Sequence, residues 1–326
     1  MPGRHLGSAL TVLVWAAFAL LPLLVAEWYL GRLAQLITYG IFAMSLAFVW
    51  GQAGLLCFGQ AIFFGAGAYA MALITKGMLP GVPDWSALGL LAAVLLPALL
   101  ANLLGQFLFR GRGVSGAYFA IVTLSAAVIA ERLASHWRFI GGFNGLLDVP
   151  PLRLGTAPGA FELFAPLPTY YVMLAAALLV WLVLLWLERA PFGTVLRAVR
   201  DHEERTAYFG YDVAACKRLA FTISGGVAGL AGALFVTQFG FVSPALIGFS
   251  LSTEVLIWAA LGGREVLLAA WLAAILVRTV EGVLSEALGH YWLLALGLLF
   301  VLSVVCLPRG LLGWLLRLPL PARLRR

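Results

Sequence analysis

The chain has 326 residues, of which 63% are apolar and only 11% charged, with a mean hydropathy of +1.01 and a net charge of +7. An ordinary soluble domain carries about 25% charged residues. This composition therefore excludes a soluble enzyme, a disordered chain and a nucleic-acid binder, and predicts an all-α polytopic membrane protein.

A helical span takes about 20 mostly apolar residues. Residues 6–26 form the first uncharged run. It is too long for the core of a signal peptide and no small-residue cleavage site follows, so a retained span is expected. Residues 33–75 are uncharged and hold two spans, with the break expected at Trp50-Gly51-Gln52-Ala53-Gly54. Residues 85–109 and 113–130 give the fourth and fifth. Residues 135–168 are rich in Gly and Pro and read as a periplasmic segment. Residues 163–187 hold the sixth span. Residues 188–218 are the most charged stretch and read as a cytoplasmic loop with helices at 192–200 and 203–209, stopped by Gly210. Residues 219–237 form the seventh span, and residues 239–249 a loop. Residues 250–263 and 266–284 are weaker spans that carry Glu254, Arg278 and Glu281. Residues 287–307 form the last.

The count is about ten, or eight if residues 250–284 are a re-entrant pair. Both counts give one transmembrane domain over residues 1–326. They put most basic residues on the inner side, as the positive-inside rule requires, with both termini cytoplasmic in the bacterial inner membrane. All basic residues except Lys76 and Lys217 are Arg. Cys57, Cys216 and Cys306 lie far apart without metal-site spacing and read as small packing residues. Glycine-rich stretches in both halves, 51–69 and 225–248, raise the possibility of an inverted repeat.

Intramembrane polar groups are the first candidates for function. Gln60 lies among aromatics and glycines in Phe58–Tyr69, where it would hold a small polar solute or bond a neighbouring helix. Glu254 sits in the short eighth span. Arg278 and Glu281, three residues apart, share a face and can pair. Small residues recur every four positions from Ser224 to Gly232, which suits close helix packing or a mobile interface. The chain has no G-x-x-x-x-G-K-[ST] loop, no H-E-x-x-H and no G-x-S-x-G elbow, so neither nucleotide hydrolysis nor intramembrane catalysis is expected of it.

Several segments in order carry a resemblance. Phe58–Tyr69 is similar to a Gly-x-x-x-Phe-Phe-Gly-x-Gly-Ala-Tyr segment, with Gln60 where many members have His. Gly116–Leu124 matches the start of a fifth span, and Gly141-Gly142-Phe143-Asn144-Gly145-Leu146 an extramembrane signature. Gly193–Asp201, continued through Gly210 to Leu234, is similar to a coupling loop and the glycine-rich span behind it. Leu307-Pro308-Arg309-Gly310-Leu311 matches the ending. Together these resemble the permease subunits of bacterial ABC importers for branched-chain amino acids and for urea and short amides. Two departures are Arg264–Ala269, where others continue Gly-Thr, and Arg205-Thr206, where amino-acid members show two alanines.

The resemblance implies a second permease subunit forming a heterodimer with this one, two cytoplasmic ATP-binding subunits, a periplasmic substrate-binding protein and a lipid surround. No cofactor would be bound by this chain; ATP would sit on its partners. It implies a substrate pathway drawn from Gln60, Phe63, Tyr69, Tyr118, Thr123, Glu254 and Trp258. It implies coupling to the ATPases through Glu203, Glu204, Arg205, Gly210 and Tyr211. The acidic pair before Arg205, Gly210-Tyr211-Asp212, Trp258 and Tyr291-Trp292 are more similar to the urea-type branch, so urea or a short amide is the favoured solute and a branched-chain amino acid the second. The alternative to the whole reading is an autonomous secondary transporter or channel for a small polar solute.

Overall fold

The computed structural model describes residues 3–110, 116–154, 161–288, 297 and 310. Eleven α-helices are found among them: α1 (Gly3–Leu20), α2 (Glu27–Ala53), α3 (Gln60–Thr75), α4 (Ser86–Phe109), α5 (Gly116–His136), α6 (Pro166–Arg189), α7 (Pro191–Asp201), α8 (Glu203–Tyr208), α9 (Val213–Phe239), α10 (Phe249–Gly262) and α11 (Leu267–Leu288). A small antiparallel pair, β1 (Arg153–Leu154) and β2 (Phe161–Glu162), lies between α5 and α6 and is tied by an Arg153–Glu162 ion pair at 2.8 Å.

α2 is the centre of the bundle. It is apolar on all sides, as a helix surrounded by other helices must be, and nearly every residue from Leu36 to Val49 is buried. α6, α9, α10 and α11 pack around it, while α3 and α4 pack on α9. In lipid, such packing depends on close backbone approach. A Cβ on Gly67 of α3 would run into the backbone of Gly229 in α9, and one on Gly232 into the backbone of Phe64. The small residues of 224–232 are thus the seam that joins α9 to α3, and the two glycine-rich stretches of the sequence meet each other.

By length and composition six helical runs can cross a bilayer: α2, α4, α5, α6, α9 and Pro244–Gly262, which contains α10. Leu10–Leu23 and α3 are apolar but shorter. α11 has membrane length but carries Arg278, Glu281 and Glu286. The count of about ten is therefore not reached by this criterion among the described residues. The remainder of the expected last span, beyond Leu288, lies outside them.

Boundaries differ from expectation where caps decide them. α2 begins at Glu27 rather than Leu33 and continues through Trp50–Ala53. It ends at Gly54, which takes the left-handed φ of 72° that stops a helix cheaply only at glycine. The turn between α2 and α3 is consequently Gly54–Gly59, later than expected. α9 starts at Val213, six residues early, because the Asp212 carboxylate accepts a hydrogen bond from the Ala215 amide at 2.9 Å. Gly210, with φ of 87°, follows the end of α8 as expected.

One end of the bundle gathers the ends of α2, α4 and α6, the whole of α7 and α8, the start of α9 and the α10–α11 turn. The opposite end is closed by backbone pairing. There, residues 145–149 bridge to residues 240–242 through paired Leu146 and Val242 and the Val149 amide on the Gly240 carbonyl. The Gly-Gly-x-Asn-Gly-Leu signature forms that clamp.

Candidate functional site

Gln60 is the first residue of α3 and is fully buried. Its amide donates to Ser45 Oγ of α2 at 3.0 Å and to Ser224 Oγ of α9 at 2.8 Å. Ser224 Oγ in turn donates to the Ser45 carbonyl at 2.7 Å, and Ser45 Oγ to that of Phe42 at 2.7 Å. Both hydroxyl protons are used, so the Gln60 amide nitrogen must face the two serines, and Gln60 Oε1 is left without a hydrogen-bond partner among the described residues. At the next residue, the Ala61 amide donates to Ser252 Oγ of α10 at 3.1 Å. This polar node pins the start of α3 to three helices.

Phe63 and Thr123 share an apolar groove of about 240 Å3 between α3, α4, α5 and α9, which Cys57, Ile62, Leu108 and Phe221 also line. The Thr123 hydroxyl accepts the Phe58 amide at 3.1 Å and donates within α5, to the Phe119 and Ala120 carbonyls at 2.9 and 3.0 Å. It leaves little polarity facing the groove. In the Gly54–Gly59 turn, Cys57 is fully buried against this groove. Tyr69 is buried farther along α3, and its hydroxyl has no partner among the described residues. Tyr118 points away from all of these and is 77% exposed at the start of α5.

Glu254 and Trp258 belong to a different cluster. Arg278 of α11 reaches Glu254 of α10 at 3.4 Å and Glu281 of its own helix at 3.0 Å. Its guanidinium also lies over the rings of Tyr39 in α2, at 4.4 Å, and Trp258, at 5.3 Å. Arg278 lies roughly 16 Å along α11 at 1.5 Å per residue. The expected Arg278–Glu281 pair is present, and Glu254 joins it rather than standing alone. Tyr39 was not singled out in the sequence, because a Tyr inside an apolar span has no distinguishing pattern.

At the charged end the residues expected to couple to a partner form a projecting tip. Glu203, Glu204, Arg205, Gly210 and Tyr211 are all exposed, and between them Tyr208 and Phe209 are 90% and 82% exposed. The tip stands on a fixed base. Lys217 of α9 is buried and ion-pairs with Glu203. Arg197 of α7 donates to Gln52 Oε1 at 3.3 Å and to the Glu188 carbonyl at 3.1 Å, while Gln52 Nε2 donates to Glu188 Oε1 at 2.9 Å. Arg200 donates to the Gly51 carbonyl at 2.5 Å and faces Glu265 at 3.9 Å. Sequence reasoning missed Tyr208, Phe209, Gln52, Arg197 and Arg200 as functional candidates. The recurrence of Arg at 197 and 200 on one face of α7 was the available signal. Among the described residues no cluster of His, Cys, Asp and Glu could hold a metal ion.

Residues 29–304 match the family described as branched-chain amino acid transport system / permease component. The high-affinity branched-chain amino acid transport system permease protein LivM of Salmonella typhimurium is 34% identical over 294 residues, 84% of this chain and 67% of that protein. LivM of Escherichia coli gives the same identity and coverage. A probable LivM from Methanocaldococcus jannaschii is 24% identical over 60% of this chain and 64% of its own length. No solved structure matches the chain. These relatives are permease proteins rather than enzymes, and a multi-pass helical chain without a nucleotide-binding loop fits among them. The chain belongs to the permease family of branched-chain amino acid transport systems.

Proposed function

We propose that this chain is the membrane subunit of an ATP-driven importer that moves branched-chain amino acids inward across the bacterial inner membrane. The observation that carries the proposal is the tip at 203–211. It is a charged and aromatic projection that makes few contacts of its own yet is braced to the bundle through Lys217, Arg197 and Arg200. Such a projection suits a partner-filled groove, because exposed aromatics among charges are the usual anchors of an interface. The occupant in this reading is an ATP-binding subunit, which supplies the nucleotide chemistry that the chain lacks. The abundance of Arg at this end supports a cytoplasmic position for it under the positive-inside rule. The 135–168 segment then faces the periplasm, toward a binding protein, and a second permease subunit completes the path.

For the solute, two arguments favour a branched-chain amino acid over urea. The relatives whose names give a substrate give branched-chain amino acids. The groove at Phe63 and Thr123 is almost wholly apolar, and a branched aliphatic side chain gains from such a surface while urea does not. Three of the residues that point to urea are engaged elsewhere: Trp258 beneath Arg278, and Gly210 and Tyr211 on the tip. Phe63 and Thr123 line the pathway in this reading, with Gln60 and Tyr69 behind them on α3.

The test is uptake by proteoliposomes carrying the permease pair, the ATP-binding subunits and the binding protein. ATP-dependent accumulation of labelled leucine and none of urea supports the proposal. Uptake by this chain alone, driven by an ion gradient without ATP, would overturn it in favour of the autonomous transporter.

A further inference from the structure

We infer that Arg197 and Arg200 of α7 are the positioning residues that carry motion from the tip into the membrane, by clasping α7 to α2 and to the α10–α11 turn. The inference rests on the coupling function proposed for the tip and extends it to named contacts.

Three observations build it. First, the two arginines lie three residues apart, so they share one face of α7. That face meets the last turn of α2 twice: Arg197 on the Gln52 side chain and Arg200 on the Gly51 carbonyl. Second, the clasp does not end at α2. Arg200 also faces Glu265 in the turn between α10 and α11, and a Cβ on Gly51 would collide with the carbonyl of Arg264 in the same turn. The end of α2 and that turn therefore cannot shift independently of α7. Third, the three helices so gripped are fastened to one another deep in the bundle. Arg278 of α11 holds Glu254 of α10 and lies over Tyr39 of α2.

Helices α2, α10 and α11 thus form one body with two fastenings, one buried within the span and one at the charged end. A packed body of this kind moves as a unit instead of deforming continuously. Displacing α7 through the tip would carry the whole body with it. The Gln60 node fastens the start of α3 to α2 and α10, so α3 moves with this body, whereas among the described residues no ion pair joins α4 or α5 to α7. Displacement of α3 with the body against α4 and α5 would reshape the apolar groove that these helices share.

The geometry supplies a reversible test. An ideal Cβ on Gly54 lies 3.6 Å from Cβ of Arg200, within the 3.5–4.5 Å range that a disulfide requires, and the strain of placing a side chain at the φ of 72° is read separately by G54C alone. The intact transporter, with Cys57, Cys216 and Cys306 replaced by Ser, is compared with the same protein carrying R200A, or the pair G54C and R200C. G54C alone is the control. ATP-binding subunits should remain associated and hydrolyse ATP in every variant. Uptake per ATP should fall at least about tenfold in R200A, and in the reduced cysteine pair, as expected for losing a charge-assisted hydrogen bond on the force path. Oxidising the pair should restore it, since a covalent tie replaces the clasp. R200K should recover part of the loss.

Wild-type coupling in R200A, or a cysteine pair that stays uncoupled when oxidised, overturns the inference while leaving the ATP-driven reading intact. Failure of the wild-type chain to bind ATP-binding subunits removes both.

Discussion

The polar node at Gln60 and the tip at 203–211 are built on opposite principles. At the node, four elements converge, the Ser45 and Ser224 hydroxyl protons are both used, and helix backbones approach so closely that a methyl group does not fit between α3 and α9. At the tip, side chains project with few neighbours, and all the restraint lies in the base. The contrast teaches that buried polarity in this protein serves to fix helices, whereas exposed polarity and aromatics are kept for something outside the chain. Substitutions at the node should therefore act on folding, and substitutions at the tip on assembly.

The severest test of that division is G232V. The added side chain meets the backbone of Phe64 with nothing flexible to yield, so a loss of roughly 3 kcal/mol or more is expected. It should appear as aggregation in detergent at temperatures the wild type survives. A well-folded G232V would mean the seam is looser than its geometry. Next is R278L, which leaves Glu254 and Glu281 without their cation. Removing one partner of a buried ion pair costs about 3–5 kcal/mol. Adding E254Q and E281Q should recover much of it, which a thermal melt of the purified chain would show.

Q60L is milder, since it removes hydrogen bonds without introducing a charge or a clash. About 1–3 kcal/mol of stability should go. Uptake should fall while ATP-binding subunits still associate. Unchanged affinity and rate would remove Gln60 from the pathway and leave it a helix fastener. The smallest effect on stability belongs to the double variant Y208S/F209S, within about 0.5 kcal/mol as for exposed sites generally. The same variant should lose capture of the ATP-binding subunits in a pull-down. Normal capture would show that the two aromatics are not the anchors, and the comparison would then rest on Glu203, Glu204 and Arg205 alone.

The node was half legible. Gln60 stands out in the sequence because an amide among Phe and Gly must find partners, and Ser224 opens the small-residue run. Their meeting was not legible, since nothing in a chain of apolar residues says which serine faces Gln60 across 164 positions. The Arg278–Glu281 pair was readable from its spacing. Its link to Glu254 depends on α10 lying beside α11, and its stacking on Tyr39 on both lying beside α2. The tip was placed correctly as two helices ended by Gly210, while the arginine clasp behind it involves α2, a helix remote in sequence.

Composition and local pattern settled what this chain is built from: apolar helices of membrane length, the charged loop between the sixth and seventh, and the absence of a nucleotide-binding loop. These follow from the cost of placing charge and unbonded backbone in lipid, which acts on each segment by itself. Helix ends were blurred by a turn because a cap such as Asp212 or Gly54 works through a few backbone atoms. Only the tertiary structure decided which polar groups stay buried and which face outward. That choice depends on which helices are neighbours, and helices equally greasy on every side carry no mark of who stands next to them.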